Sequence, residues 1–261
     1  MTLRRIAFIN EKGGTCKTTL AVNTAAWFAT KKSLRVLLVD LDTQGHAGKS
    51  LGIDVRSLPL NVFDWLTEPT VTLAQVSRPT AVPGLTVVPS YKQMADFPLK
   101  VAHQSNRDVL LRERMAEVER AGYDLVIFDS PPSLGLTTTN ILLAAVEVVV
   151  PVATTYLSLD GCAEMTETVR KVAEAENAKL HISLVVPTLY RKTALADEVL
   201  GRLEKYFPGK VARQPLALNV AIDEAQSHGK TIWEYAPWSR GATLLQSVAE
   251  DVDAAGASAR R

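Results

Sequence analysis

Lys12 and Lys17 stand five positions apart around Gly13-Gly14-Thr15-Cys16, and Thr18-Thr19 follows directly. Two cations, a glycine pair and two hydroxyls in one short stretch suit the handling of a polyphosphate. Glycines let backbone amides turn toward an anion, a lysine neutralises its outer phosphates, and a hydroxyl opening a helix can hold Mg²⁺. Lys17 is thus the candidate for the β- and γ-phosphates and Thr18 for the metal. Acidic strand ends supply the complementary chemistry. Asp40-Leu41-Asp42 and Asp129 each close an apolar run, and Mg²⁺ keeps several waters, so a carboxylate such as Asp129 holds its shell mainly through water.

These groups converge only if the chain places them at one edge. Ile6-Ala7-Phe8-Ile9 is short, apolar and bounded, as a buried strand is. Leu20 to Ala29 spaces its apolar residues as on one helix face, so a strand, a glycine turn and a helix beginning at Lys17 aim free N–H groups and the helix dipole at one anion. Leu34 to Val39 is a second strand, and two near-continuous apolar strands joined by a helix form a βαβ unit of a parallel sheet. Ligands of such sheets sit outside the carboxyl ends of the strands, where the glycine turn, Asp40 and Asp42 all lie. Further strands are expected at Leu85–Pro89, Tyr123–Asp129, Val146–Val152 and Leu180–Pro187. Helices are expected at Asn61–Leu66, Arg107–Gly122, Gly161–Glu176, Ala194–Tyr206 and Ser239–Ala254, while residues 91–105 give no clear pattern. The expected fold is α/β: one doubly wound domain, a mostly parallel sheet with helices on both faces, over residues 1–255, with 256–261 a short flexible tail.

Composition narrows the class. The 261 residues are 47% hydrophobic and 22% charged, ordinary for a globular protein with a substantial core. A net charge of +1 means that any nucleic-acid affinity must come from a local patch. Two cysteines, Cys16 and Cys162, argue for a reducing compartment without a disulfide framework. No apolar run approaches the length of a bilayer span, and a cytoplasmic location is expected.

The usual phosphate-loop pattern G-x-x-x-x-G-K-[ST] is not met, because Glu11 and Cys16 occupy its glycine positions. What fits is K-G-G-x-x-K-[ST], with Lys12 as the extra lysine. This variant resembles the deviant Walker A motif of the ParA/MinD group of P-loop ATPases, and the chain is most similar to the ParA (Soj-like) branch. Asp42-Thr43-Gln44-Gly45-His46 resembles the family's first switch, and Asp129-Ser130-Pro131-Pro132 its second. Asn219 to Lys230 and Glu234 to Ala242 resemble its C-terminal signature, so the likeness covers nearly the whole chain.

The resemblance implies a slow ATPase that uses ATP and Mg²⁺ and works as a homodimer in the ATP state. It implies nucleotide contacts from Lys12, Gly13, Gly14, Thr15, Cys16, Lys17, Thr18 and Thr19, with Lys12 reaching the phosphates bound by the other subunit. Lys12, Lys17 and Asp42 are then the catalytic set, Asp42 orienting the attacking water, and Thr18, Asp42 and Asp129 the metal set. Pro187-Thr188 would touch adenine. The ATP dimer would bind DNA without sequence preference, candidates being Arg191, Lys192, Lys230 and Arg240, in a nucleoid-associated protein that needs no membrane. A ParB-like, centromere-binding partner would stimulate hydrolysis; the cargo, chromosome, plasmid or another body, stays open.

Some residues depart from that pattern. Cys16 stands where the family carries glycine; it is either a small residue tolerated in an adjusted loop or a cause of weakened, redox-sensitive nucleotide binding, its thiol pKa depressed by the helix N-terminus and Lys17. A nucleotide-binding scaffold with impaired hydrolysis therefore stays open. A MinD-like membrane cycle is disfavoured by the acidic C-terminal helix, with Glu250, Asp251 and Asp253. An iron–sulfur reductase needs cluster-binding cysteines after the switch region and none stands between Cys16 and Cys162, while the early position of the loop makes an operator-binding domain ahead of it unexpected. Asp40 reads as a strand-end turn cap, His46 as a loop residue, and Cys162 and His181 as packed residues.

Overall fold

The computed structural model describes residues 3–156 and 158–258. Eight strands form one sheet: β1 Arg4–Phe8, β2 Val36–Asp40, β3 Arg78–Pro79, β4 Leu85–Val88, β5 Leu125–Asp129, β6 Glu147–Ala153, β7 His181–Tyr190 and β8 Leu216–Ala217, in the order β3-β4-β2-β5-β1-β6-β7-β8. All pairings are parallel except β3 with β4. The interior strands are apolar along their length because both faces are covered. Ala7, Leu37, Val39, Val126, Phe128 and Val148 pack into one core, and Ile6, Phe8, Val36, Leu38, Ile127 and Val149 into the other.

The longer helices are α1 Lys17–Lys31, α2 Leu110–Arg120, α3 Leu136–Ala144, α4 Ser158–Ala175, α5 Ala194–Tyr206, α6 Val220–Ser227 and α7 Arg240–Ser258. A single-domain, mostly parallel doubly wound sheet is what the sequence pattern predicts. Three details differ. The edge strands β3 and β8 have two residues each, too short to show periodicity, and β7 runs three residues past Pro187. Residues 91–105, without a clear pattern in sequence, contain a 3₁₀ turn at Lys92–Asp96 and a short helix at Phe97–Lys100.

The third difference is at the C-terminus. α7 continues through Ser258, so residues 256–258 are helix rather than tail; residues 259–261 lie outside the described residues. Gly256 is buried against Arg4, whose guanidinium lies where a Cβ would be. Arg4 makes a two-pronged ion pair with Glu147, 2.8 and 2.7 Å, and donates to the Val252 carbonyl at 2.6 Å. That cluster ties the last turns of α7 to β1 and β6.

Candidate phosphate-binding site

β1 delivers the chain to the carboxyl edge of the sheet, and the loop between β1 and α1 turns there. Asn10 fixes its start: its side-chain amide donates to the Pro151 carbonyl at 2.6 Å while its oxygen accepts the Lys12 N–H at 3.0 Å. Gly14 has φ +72° and Cys16 φ +66°, ψ +25°, both left-handed. A non-glycine residue pays on the order of 1–2 kcal/mol for this conformation, yet Cys16 adopts it, and the loop keeps the turn that glycine would give. No side chain caps α1. Its first-turn N–H groups therefore remain available, beside the positive end of the dipole, to an anion lying in the loop.

A cavity of about 590 Å³ opens over this loop, lined by Gly13 through Thr19 and by Asp42, His46, Lys49 and Pro132, with Asp223, Gln226 and Ser227 from α6 on one side. Lys17 is buried, and its ammonium donates to the Lys12 carbonyl at 3.0 Å. Burial lowers its pKa, opposed by Asp129 and Asp42. The loop thus holds a desolvated cation on a backbone carbonyl, a contact that a phosphate oxygen would replace with a charged partner.

The two acidic strand ends meet beneath the cavity. Asp40 and Asp129 are register partners on the adjacent strands β2 and β5, and both are fully buried. Asp40 accepts the N–H groups of Asp42 and Ala47, each at 3.0 Å, and so anchors the loop that carries Asp42. Asp129 differs: both carboxylate oxygens are sealed from water without a hydrogen bond, and the Thr18 hydroxyl faces them without completing one. Desolvation pushes the Asp129 carboxyl up to about 7, against the pull of Thr18 and Lys17 and with a push from Asp42. Orphaned, buried carboxylate oxygens beside a hydroxyl are a donor set that a hard divalent cation satisfies. Thr18, Asp42 and Asp129 therefore fit Mg²⁺.

Several sequence expectations change here. The Cys16 thiol is not depressed: burial, then Asp223, push it up to about 11, outweighing Lys17. Thr188, expected at adenine, is fully buried and donates to the Thr15 carbonyl at 3.2 Å, bracing the loop from β7. Neither it nor Pro187 lines the cavity; Asp223, Gln226 and Ser227 do. Gln226 reaches the Thr19 hydroxyl at 2.6 Å. Lys49 was missed; it lines the cavity, its ammonium bonded to the Gln44 carbonyl at 2.6 Å. His46, read as a loop residue, also lines it, at the start of a one-turn helix.

Lys12 does not line its own cavity. Its stem lies instead over Gly161 in α4, where an added Cβ would sit 3.2 Å from Lys12 Cε. Of the surface cations, Arg191 and Lys192 follow β7, and Arg240 opens α7 close to the start of α6. Lys230 lies beyond the other end of α6, an eight-residue helix about 12 Å long. All four are exposed.

An AAA-domain family model matches residues 3–182. The sporulation initiation inhibitor protein Soj of Bacillus subtilis is 39% identical, over 96% of this chain and 98% of its own. The chain belongs to the Soj/ParA family of chromosome-partitioning ATPases. The chromosome-partitioning ATPase Soj of Thermus thermophilus is 38% identical, over 96% of this chain and 95% of its own. Among solved structures, cobyrinic acid a,c-diamide synthase of Mycobacterium smegmatis with bound ATP analog and magnesium superposes with a TM-score of 0.83 at 30% identity, covering 95% of this chain and 93% of that one. No helix among the described residues is long and apolar enough to cross a membrane.

Proposed function

We propose that this member of the Soj/ParA family is a switch ATPase whose subunits pair face to face when ATP is bound, and that the pair binds DNA to position a cargo. The observation that carries this reading is the division of labour between the two lysines. Lys17 points into its own cavity, whereas Lys12 is directed away from it, over α4. A lysine that does not serve its own phosphates is free to serve those of a second subunit, which makes occupancy and pairing one event.

The chemistry is divided accordingly. The loop amides of Gly13 to Thr19 and the Lys17 ammonium would hold the β- and γ-phosphates; Thr18, Asp42 and Asp129 would hold Mg²⁺, which would supply charge neutralisation at the transferring phosphoryl group. Asp42 orients the attacking water, and Lys12 of the second subunit adds positive charge as the γ-phosphoryl group leaves. Hydrolysis removes that shared contact and releases the pair. A centromere-binding partner that accelerates hydrolysis would set the lifetime of the pair, and exposed Arg191, Lys192, Lys230 and Arg240 would meet the DNA phosphates.

Sedimentation with a non-hydrolysable ATP analogue tests the reading. Wild type should form dimers; Lys12→Ala should bind the analogue as a monomer, and Lys17→Ala should lose binding. A Lys12→Ala protein that dimerises and hydrolyses ATP like wild type defeats it.

A further inference from the structure

The free cations are set around an apolar surface. Leu218 is 46% exposed, Val220 71% and Trp238 85%. Tyr190 of β7 pairs with Ala217 of β8, so Arg191 and Leu218 leave the sheet side by side. Asn219 and Ile222 approach within 2.9 Å of where a Cβ on Gly241 would be, which brings the Trp238–Arg240 turn against the start of α6. Leu218, Val220 and Trp238 thus cluster with Arg191, Lys192 and Arg240 at one end of the β7–β8 edge. The neighbouring carboxylates are engaged elsewhere: Asp197 accepts the Tyr190 hydroxyl, Glu224 accepts the Tyr235 hydroxyl, and Asp223 lines the nucleotide cavity. None of the three cations has an ion-pair partner among the described residues.

Phosphate contacts alone need no exposed tryptophan, leucine and valine. A protruding apolar group flanked by unpaired cations matches duplex DNA bound through its phosphates with a side chain entering between base steps, as architectural minor-groove proteins do. We propose that Trp238, backed by Leu218 and Val220, is a wedge that inserts into DNA while Arg191, Lys192 and Arg240 hold the flanking phosphates. The proposal rests on the reading that the ATP-bound pair binds DNA and adds a contact that salt does not screen.

The test uses the full chain with a non-hydrolysable ATP analogue and a 30-base-pair (about three helical turns) mixed-sequence duplex. Trp27 and Trp65 are buried and Trp233 is half-buried, so acrylamide quenching reports mainly Trp238. DNA should shield Trp238 from acrylamide. Trp238→Ser should keep the wild-type melting temperature and lose roughly tenfold in affinity at unchanged salt slope, whereas Arg240→Ala should reduce the slope by about one. Undiminished affinity in Trp238→Ser, with Trp238 of the wild-type complex still open to acrylamide, overturns the wedge but leaves DNA binding standing. Wild type that ignores DNA at every salt concentration overturns DNA binding and the wedge together. A blue shift of Trp238 on vesicles of phosphatidylglycerol and phosphatidylcholine, without shielding by DNA, assigns the face to anionic lipid and also overturns the wedge.

Discussion

Asp40 and Asp129 lie side by side at the carboxyl ends of β2 and β5, both fully buried, and only Asp40 is hydrogen-bonded. Two carboxyl groups so placed cannot both ionise cheaply, and each is shifted upward, Asp40 by burial and then by Asp129, Asp129 by burial to about 7. The bonds from Asp42 and Ala47 make Asp40 the structural member of the pair. Asp129, without such bonds, is the member free to hold the proposed Mg²⁺.

A pH dependence follows for the nucleotide-free protein. An acid whose pKa is raised in the folded state keeps its proton there while the unfolded chain releases it, so stability falls as pH rises from about 4 toward about 7 and levels off above. The slope from Asp129 alone is at most about 1.4 kcal/mol per pH unit. Melting temperature should therefore decline across this window, ATP with Mg²⁺ should restore it at pH 7.5 (about half a unit above that pKa), and Asp129→Asn should flatten the decline while removing the Mg²⁺ effect. An unchanged profile in Asp129→Asn would contradict the assignment.

Cys16 leads to a second expectation. Cys16→Gly removes a left-handed strain of about 1–2 kcal/mol, but glycine frees the unfolded chain by about 0.4–1 kcal/mol, leaving a net gain between about zero and about 1.6 kcal/mol. With its thiol pKa near 11, Cys16 should react with iodoacetamide at pH 7.5 more slowly than a free cysteine, and mild oxidant should leave nucleotide affinity unchanged. Calorimetric unfolding and a timed alkylation check both halves. Rapid alkylation would restore the redox-sensitive reading.

How far the sequence carried can be seen at particular residues. β2 and β5 were legible because an interior parallel strand is apolar throughout and each stops at an aspartate. β8 was not, since Leu216-Ala217 carries no pattern and exists only because Tyr190 pairs beside it. Asp40, read as a turn cap, does accept the Asp42 and Ala47 N–H groups, but its pairing with Asp129 is tertiary and could not be seen. The Cys16 thiol was misjudged for a similar reason: helix dipole and Lys17 are local in sequence, while burial and Asp223 of α6 come from the fold. The lysine pair was visible as a spacing, but the direction of Lys12 was not.

Arg4 provides a stability test far from the site. Its guanidinium is buried, bonded twice to Glu147 and once to the Val252 carbonyl, and packed on Gly256. Removing one partner of a buried pair leaves the other charge uncompensated, so Arg4→Ala should cost roughly 3–5 kcal/mol in urea unfolding. Gly256→Ala should also destabilise, because a Cβ there collides with a guanidinium held by three hydrogen bonds. If Gly256→Ala is as stable as wild type, α7 is not held in the way described.

Gly161 offers the sharpest test of where Lys12 must lie. A Cβ at this position would sit 3.0 Å from Glu11 Oε1 and 3.2 Å from Lys12 Cε, so alanine pushes the lysine stem back from α4 by a few tenths of an ångström. Helix propensity acts the other way: alanine in place of glycine within a helix stabilises it by roughly 0.5–1 kcal/mol. Gly161→Ala should therefore melt no lower than wild type and bind ATP as a monomer within about twofold, yet pair less readily in ATP, by a coupling of about 0.5–3 kcal/mol. In a Lys12→Ala background the same substitution should change pairing no further, because the side chain it displaces is gone. Equal losses of pairing in both backgrounds would show that Gly161 shapes α4 itself, and Lys12 would then have no measured dependence on the helix beneath it.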